Sequence, residues 1–225
     1  MKTEIIPQDS NRTEAFSMWM SSPMPMVTLV KTLDVSRLVK VSKKSGMKFN
    51  MLLCWCIGKA ASGIEEFYTL VKDGKMYKYD CLAISPVVTN CKGGINYCDI
   101  PFSEDLNKFH ADYTERCAQA YAACQDMCLD DEMMVIGTSA VVQTDIDCIV
   151  NQYSGIFNNP FLAWGRYRKG LFKTTLPISF QFHHVQMDGK HAACFLNMLQ
   201  KEILLGTRAS SPAKISRYLQ NGTIK

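Results

Sequence analysis

At 225 residues the chain is long enough to bury a substantial core as one domain, and its 47% hydrophobic content is ordinary for a globular protein. No apolar run approaches the ~20 residues of a membrane-spanning helix, and Met1-Lys2-Thr3-Glu4-Ile5-Ile6-Pro7 lacks the apolar centre of a signal peptide, so a cytoplasmic protein off the membrane is expected. The formal charge of +4 resides in the last segment, where Arg208, Lys214, Arg217 and Lys225 meet no acid; the other 21 of the 25 basic residues balance 21 acidic ones, which leaves no basic footprint for nucleic acid.

Taken in order, Asn11 to Trp19 reads as the start of an amphipathic helix, with Phe16 and Trp19 three apart, broken by Pro23 and Pro25. Met26 to Val30 predicts a strand. Asp34 is a candidate N-cap for a helix through Lys44 that Gly46 ends. The segment from about Asn50 to Ser62 is apolar almost all round and predicts a buried helix. Phe67–Lys72 and Met76–Tyr79 flank Asp73-Gly74, a hairpin signal. Ala83–Thr89 predicts a further strand and Lys92-Gly93-Gly94 a loop. Ser103 is expected to cap a long helix, with Leu106, Phe109, Tyr113, Cys117, Ala120, Tyr121 and Cys124 on its buried face. Met133–Val142 and Phe161–Tyr167 predict strands on either side of an irregular stretch, 145–159.

The last unit is a strand, a turn and a helix. Ile178, Phe180 and Phe182 alternate with Ser179 and Gln181; His183 and His184 follow at the strand end. Asp188-Gly189 is expected to close the turn, with the glycine supplying backbone freedom. Ala192, Phe195, Leu196, Leu199 and Ile203 then form one apolar helical face, which Gly206 ends. Strands and helices mix without strict alternation, which points to one α/β domain with a mixed sheet over residues 1–206, followed by a loosely attached basic extension, 207–225.

Ten cysteines in a chain of this size with no export signal are expected to be buried, inert thiols. Cys54 and Cys56 fall about 200° apart on a helix, and neither they nor Cys124-x-x-x-Cys128 belong to a cluster with four-ligand spacing, so no metal is expected.

Histidine is the default general base near neutral pH, and a strand end holds it rigidly. A lone histidine would say little. The full pattern His183-His184-x-x-x-Asp188-Gly189 between a strand and a helix resembles the active-site motif of the chloramphenicol acetyltransferase family. Related forms occur in condensation domains, plant acyltransferases and the E2 cores of oxo-acid dehydrogenases, all of which move acyl groups from thioesters. The resemblance extends from about Arg12 to Leu205 and implies the family's fold, a two-layer α/β sandwich with a mixed sheet. It implies acetyl transfer from acetyl-CoA to a hydroxyl, with His184 as base, His183 structural, and the base tautomer set by a ring hydrogen bond to a main-chain carbonyl. Asn11-Arg12-Thr13-Glu14-Ala15-Phe16 resembles the family's Arg-x-Glu-x-Phe element, whose arginine would pair with Asp188. Ser139, in Gly137-Thr138-Ser139-Ala140, matches the family's oxyanion donor. Tyr167 matches a tyrosine that stacks on adenine, and Arg166 and Lys48 match basic residues near the nucleotide. The acceptor pocket aligns near Trp19, Val27 and Ala163, where an aromatic and a threonine of the family are absent. Val141-Val142-Gln143 stands where the family has Pro-Trp. Chloramphenicol is thus the first expected acceptor. Another small alcohol, or a catalytically idle ligand-binding relative, is the alternative. The family also implies a homotrimer with sites between subunits.

Overall fold

The computed structural model describes residues 2–206; the basic extension predicted for 207–225 lies outside them. The strands are β1 (Lys2–Ile5), β2 (Met26–Asp34), β3 (Thr69–Lys72), β4 (Lys75–Tyr79), β5 (Leu82–Thr89), β6 (Ile95–Tyr97), β7 (Ile100–Pro101), β8 (Met134–Val141), β9 (Phe161–Gly165), β10 (Arg168–Lys169) and β11 (Thr174–His183). The α-helices are α1 (Thr13–Trp19), α2 (Ser36–Ser45), α3 (Phe49–Ser62), α4 (Leu106–Ala123) and α5 (Gly189–Leu205), with short 3-10 turns at Pro7–Asp9 and Glu65–Tyr68.

Eight strands form a mixed sheet in the order β10-β11-β9-β8-β5-β6, with β2 on the other side of β11 and β7 on β5. The β5–β8 and β8–β9 pairs are parallel and the rest antiparallel. β11 is the spine. It pairs with β2 from Thr175 to His183 and with β9 from Ile178 to Gln181. Pro177 is tolerated in this interior strand because it stands between the ladder to β9 and the one to β10, which covers only Thr174 and Thr175.

The even-numbered residues Leu176, Ile178, Phe180 and Phe182 are fully buried, with the Phe180 ring 4.7 Å from Phe195 of α5. Ten of the fourteen residues of α3 are buried, as its all-round apolar sequence predicts. The Asp73-Gly74 hairpin forms as read; both residues have positive φ (53° and 76°), the two-residue turn that matches strand twist. It joins β3 and β4 in a small sheet with β1. A second apolar cluster of Val71, Met76 and Val185, backed by Phe16, Trp19 and Met20, fastens α1 and the small sheet to the residue that follows His184.

Several expectations are corrected. β2 runs to Asp34, so Asp34 stands just outside α2 and accepts from Ser36 N at 3.0 Å, while Val35 occupies the N-cap. Asp105, not Ser103, caps α4, accepting from Asn107 N. Tyr121 is half exposed, because the helix face that meets the sheet runs through Phe109, Tyr113 and Ala120. Gly189 needs no special freedom: its φ is not positive, and a Cβ there would meet nothing within 4 Å. The cysteines are not uniformly buried. Cys54, Cys56 and Cys98 are, but Cys81, Cys91, Cys128 and Cys148 are exposed, since they fall in turns and irregular segments rather than on apolar faces.

Candidate active site

His184 follows the last residue of β11. Its main-chain N donates to Pro25 O at 2.8 Å, and its ring lies face to face on Trp19 of α1, with centroids 4.4 Å apart and planes 4° from parallel. Nδ1 is buried and has no hydrogen-bond partner among the described residues. The expected ring-to-carbonyl bond is therefore not formed. The carbonyl of His184 is engaged by Arg12 instead, and the flat stack on Trp19 sets the plane of the imidazole.

Arg12 and Asp188 meet as expected, but at 3.4 Å, the longest of the contacts Arg12 makes here. Arg12 Nε donates to Val185 O at 2.8 Å and Nη2 to His184 O at 2.7 Å. The guanidinium thus holds the main chain of the turn first and the carboxylate second. Asp188 caps α5 through Lys190 N and His191 N. Burial pushes its carboxyl up, but His191, those two main-chain N–H groups and Arg12 together bring it below the usual range. Arg12→Ala is expected to cost about 2–4 kcal/mol of stability, because two largely buried carbonyls lose their donors. Urea denaturation would measure this, and Arg12→Lys should recover only part, since an ammonium cannot reproduce the fork.

His183 is structural. It is 1% exposed, its Nδ1 accepts from Val185 N at 3.1 Å, and burial, with a smaller push from His184, lowers its pKa to about 4. The unfolded chain binds this proton near pH 6.5 and the native chain only near 4, so the neutral ring contributes roughly 3 kcal/mol above pH 6.5 that is lost as pH falls toward 4. Melting temperature should fall through that window, and His183→Asn, whose Oδ1 can still accept from Val185 N, should flatten the fall.

Three supports of the turn were not anticipated from the sequence. Gln186 Nε2 donates to Glu66 O at 3.1 Å and Thr69 O at 2.6 Å. His191 Nε2 lies 3.1 Å from Glu66 Oε1, and its Nδ1 lies 3.2 Å from Asp188 Oδ1 and accepts from Asp188 N. Asp188-x-x-His191 is a capping-box spacing that a search for N-cap signals could have found. Glu66 carried no local signal.

Ser139 lies on β8, beside Ala163 of β9, which in turn pairs with Ser179 of β11. This row is five residues from His184 along β11, and Ser139 is two strands away from β11. At ~3.3 Å per residue and ~4.8 Å per strand, that separates Ser139 from His184 by roughly 20 Å. Trp19 reaches His184, whereas Val27 pairs with Phe182 and packs against the main core.

The three residues read as cofactor contacts converge. Lys48, Arg166 and Tyr167 line one cleft of about 440 Å³ with Phe49, Asn50, Tyr113, Val142 and Gly165. Tyr167 leans on Phe49, with centroids 5.2 Å apart. Asn50 Oδ1 accepts from Trp164 Nε1 at 3.4 Å, and Arg166 lies 3.7 Å from Asp145. Gly165 is required here, since a Cβ would come within 3 Å of the Thr144 and Ile146 backbone. Val142, in the place of the family's Pro-Trp, forms part of this wall. Two cations beside three aromatic rings, those of Phe49, Tyr113 and Tyr167, fit a phosphorylated adenine nucleotide. Among the described residues no group of three or more His, Cys, Asp or Glu is arranged to hold a metal, and no helix is long and apolar enough to cross a membrane.

Comparison with known proteins bears on the same elements. The family model described as chloramphenicol acetyltransferase matches residues 3–200. The chain belongs to the chloramphenicol acetyltransferase family. Curated relatives include chloramphenicol acetyltransferase 3 of Escherichia coli, 22% identical over 181 residues (77% of this chain, 84% of the relative). Chloramphenicol acetyltransferase 2 of Escherichia coli is 24% identical over 196 residues, covering 84% of this chain and 91% of the relative. A solved chloramphenicol acetyltransferase superposes with a TM-score of 0.77 at 18% identity, covering 90% of this chain and all of that one. The mixed sheet with its packed helices is the acyltransferase fold of the family, and membership makes this protein an acetyl-CoA-dependent acetyltransferase.

Proposed function

We propose that this acetyltransferase acetylates a hydroxyl of chloramphenicol, and so inactivates the drug in the cytoplasm. The observation that carries the cofactor half of this reading is the convergence on one cleft of Lys48 with the Arg166-Tyr167 pair, 118 positions later in the chain. Acetyl-CoA is held there, its adenine against Tyr167 and its phosphates near the two cations. His184 takes the proton of the acceptor hydroxyl as that oxygen attacks the thioester carbonyl. Ser139 Oγ donates to the carbonyl oxygen as it gains charge. His184 then returns the proton to the departing thiolate. Trp19 fixes the ring, and Arg12, Gln186 and His191 fix the turn that carries it.

The base and the oxyanion donor, roughly 20 Å apart in one chain, cannot serve one carbonyl. The reading therefore includes a symmetric assembly, a homotrimer as in the family, in which His184 of one subunit faces Ser139 of the next.

Mass spectrometry of small-molecule products after incubation with acetyl-CoA and chloramphenicol tests the whole. Acetylated chloramphenicol, absent with His184→Ala, is expected. The second reading keeps the chemistry and changes the acceptor to another small alcohol. It is favoured by Val27, a small aliphatic residue packed against the core, and by the methyl side chain of Ala163 beside Ser139. Bound acetyl-CoA with no acetylated chloramphenicol would select it. Acetyl-CoA bound but never turned over with any alcohol would leave an idle binding protein.

A further inference from the structure

Two thiols outside this machinery approach each other without any role in it. Cys91 lies in the turn between β5 and β6, and Cys124 ends α4, 33 positions later. Their sulfurs are 3.3 Å apart. Among the described residues the other hydrogen-bond contact of each sulfur is a main-chain oxygen at longer range, Ala122 O at 3.8 Å from Cys91 Sγ and Tyr121 O at 3.9 Å from Cys124 Sγ.

The backbones on both sides are fixed. Cys91 N donates to Tyr121 O at 3.0 Å, which ties the turn to the last turn of α4. Asn90 builds that turn: its N donates to Gly94 O, and its Oδ1 accepts from Lys92 N and Gly94 N. Cys124 has φ 54°, a left-handed cap position that glycine fills most easily. Cys91 is exposed and Cys124 partly so, which opens the pair to dissolved reagents. By contrast, burial pushes the thiol of Cys54 up to about 12 and that of Cys56 higher still, and both are shielded within α3.

We propose that Cys91 and Cys124 form a modification site, a dithiol that closes to a disulfide by exchange with a low-molecular-weight disulfide. The thiolate of one cysteine attacks a sulfur of the small disulfide, whose S–S bond breaks. One small thiolate leaves and is protonated. The thiolate of the second cysteine then attacks the protein sulfur of the mixed disulfide and expels the second small thiolate, which takes up the other proton. Two protein thiols are oxidised and one small disulfide is reduced, with no other reactant. The sulfurs stand little more than 1 Å beyond bonding distance. The bond would tie the β5–β6 turn to α4, whose Tyr113 forms part of the cofactor cleft.

The test uses the full chain, incubated with oxidised glutathione, alkylated and digested without reductant. Expected is a cross-linked peptide joining Cys91 to Cys124, about 2 Da lighter than its two reduced parts together and separated into them by dithiothreitol. Cys91→Ser should instead retain a glutathione adduct on Cys124, while Cys148→Ser, at another exposed cysteine, should cross-link as the unaltered chain does. A persistent adduct on either cysteine of the unaltered chain, a cross-link to any other cysteine, or no reaction at the pair would overturn the proposal. The readout is covalent mass, so it stands or falls independently of the acetyl acceptor.

Discussion

Replacing His184 with alanine is expected to lower kcat by about 10³-fold or more while the KM for acetyl-CoA changes only a few-fold. The reasoning separates what the residue does from what its neighbours do. The structural bonds of this position are made by its main chain, through N to Pro25 O and O to Arg12 Nη2, and alanine keeps both. The side chain contributes the stack on Trp19, on the order of 1 kcal/mol, so melting should move little. Lys48, Arg166 and Tyr167 lie in a cleft reached from β9, beyond Ala163 and away from the His184 end of β11, so nucleotide binding should survive. Steady-state kinetics and a thermal melt on the same preparation decide it. A variant that keeps a tenth or more of the activity would remove His184 as the base. His183→Ala is the contrast: it deletes a buried ring and its bond to Val185 N, and should fail mainly through stability.

Much of this arrangement was legible in the sequence because its signals are local. The strand that ends at His183, the all-apolar α3 and the Asp73-Gly74 hairpin each carry their period or turn chemistry within a few residues. β1, β6 and β7 span four, three and two residues, too short to display a period, and they exist because neighbouring strands offer free edges. The Arg12–Asp188 contact could be anticipated only from family resemblance. What Arg12 does most strongly, holding two carbonyls of the turn, has no sequence signal, because every residue carries a carbonyl. Glu66 and His191, 125 positions apart, meet only because the turn before β3 packs under the start of α5. The distance between Ser139 and His184 follows from the β8–β9–β11 register, which no spacing in the chain encodes.

That register supports the second large effect. If each site combines His184 of one subunit with Ser139 of the next, two differently disabled chains should restore one another. Ser139→Ala alone should lose about 10²- to 10³-fold in kcat, through the missing oxyanion donor, and His184→Ala alone at least as much. When the two are unfolded together in equal amounts and refolded, subunits distribute at random around a cyclic assembly. An interface then pairs the intact histidine of one variant with the intact serine of the other with probability about one half times one half. Roughly a quarter of the wild-type activity should return, about 25- to 250-fold above the Ser139→Ala variant alone. Mixing without refolding should return none until subunits exchange, so the same experiment reports the stability of the assembly. If both residues of a site instead came from one chain, each mixed assembly would contain only disabled sites and activity would stay at the level of the separate variants. Recovery to about a quarter is specific to a site divided between neighbours, and it makes the lone chain, with both halves present and about 20 Å apart, half of two different active sites.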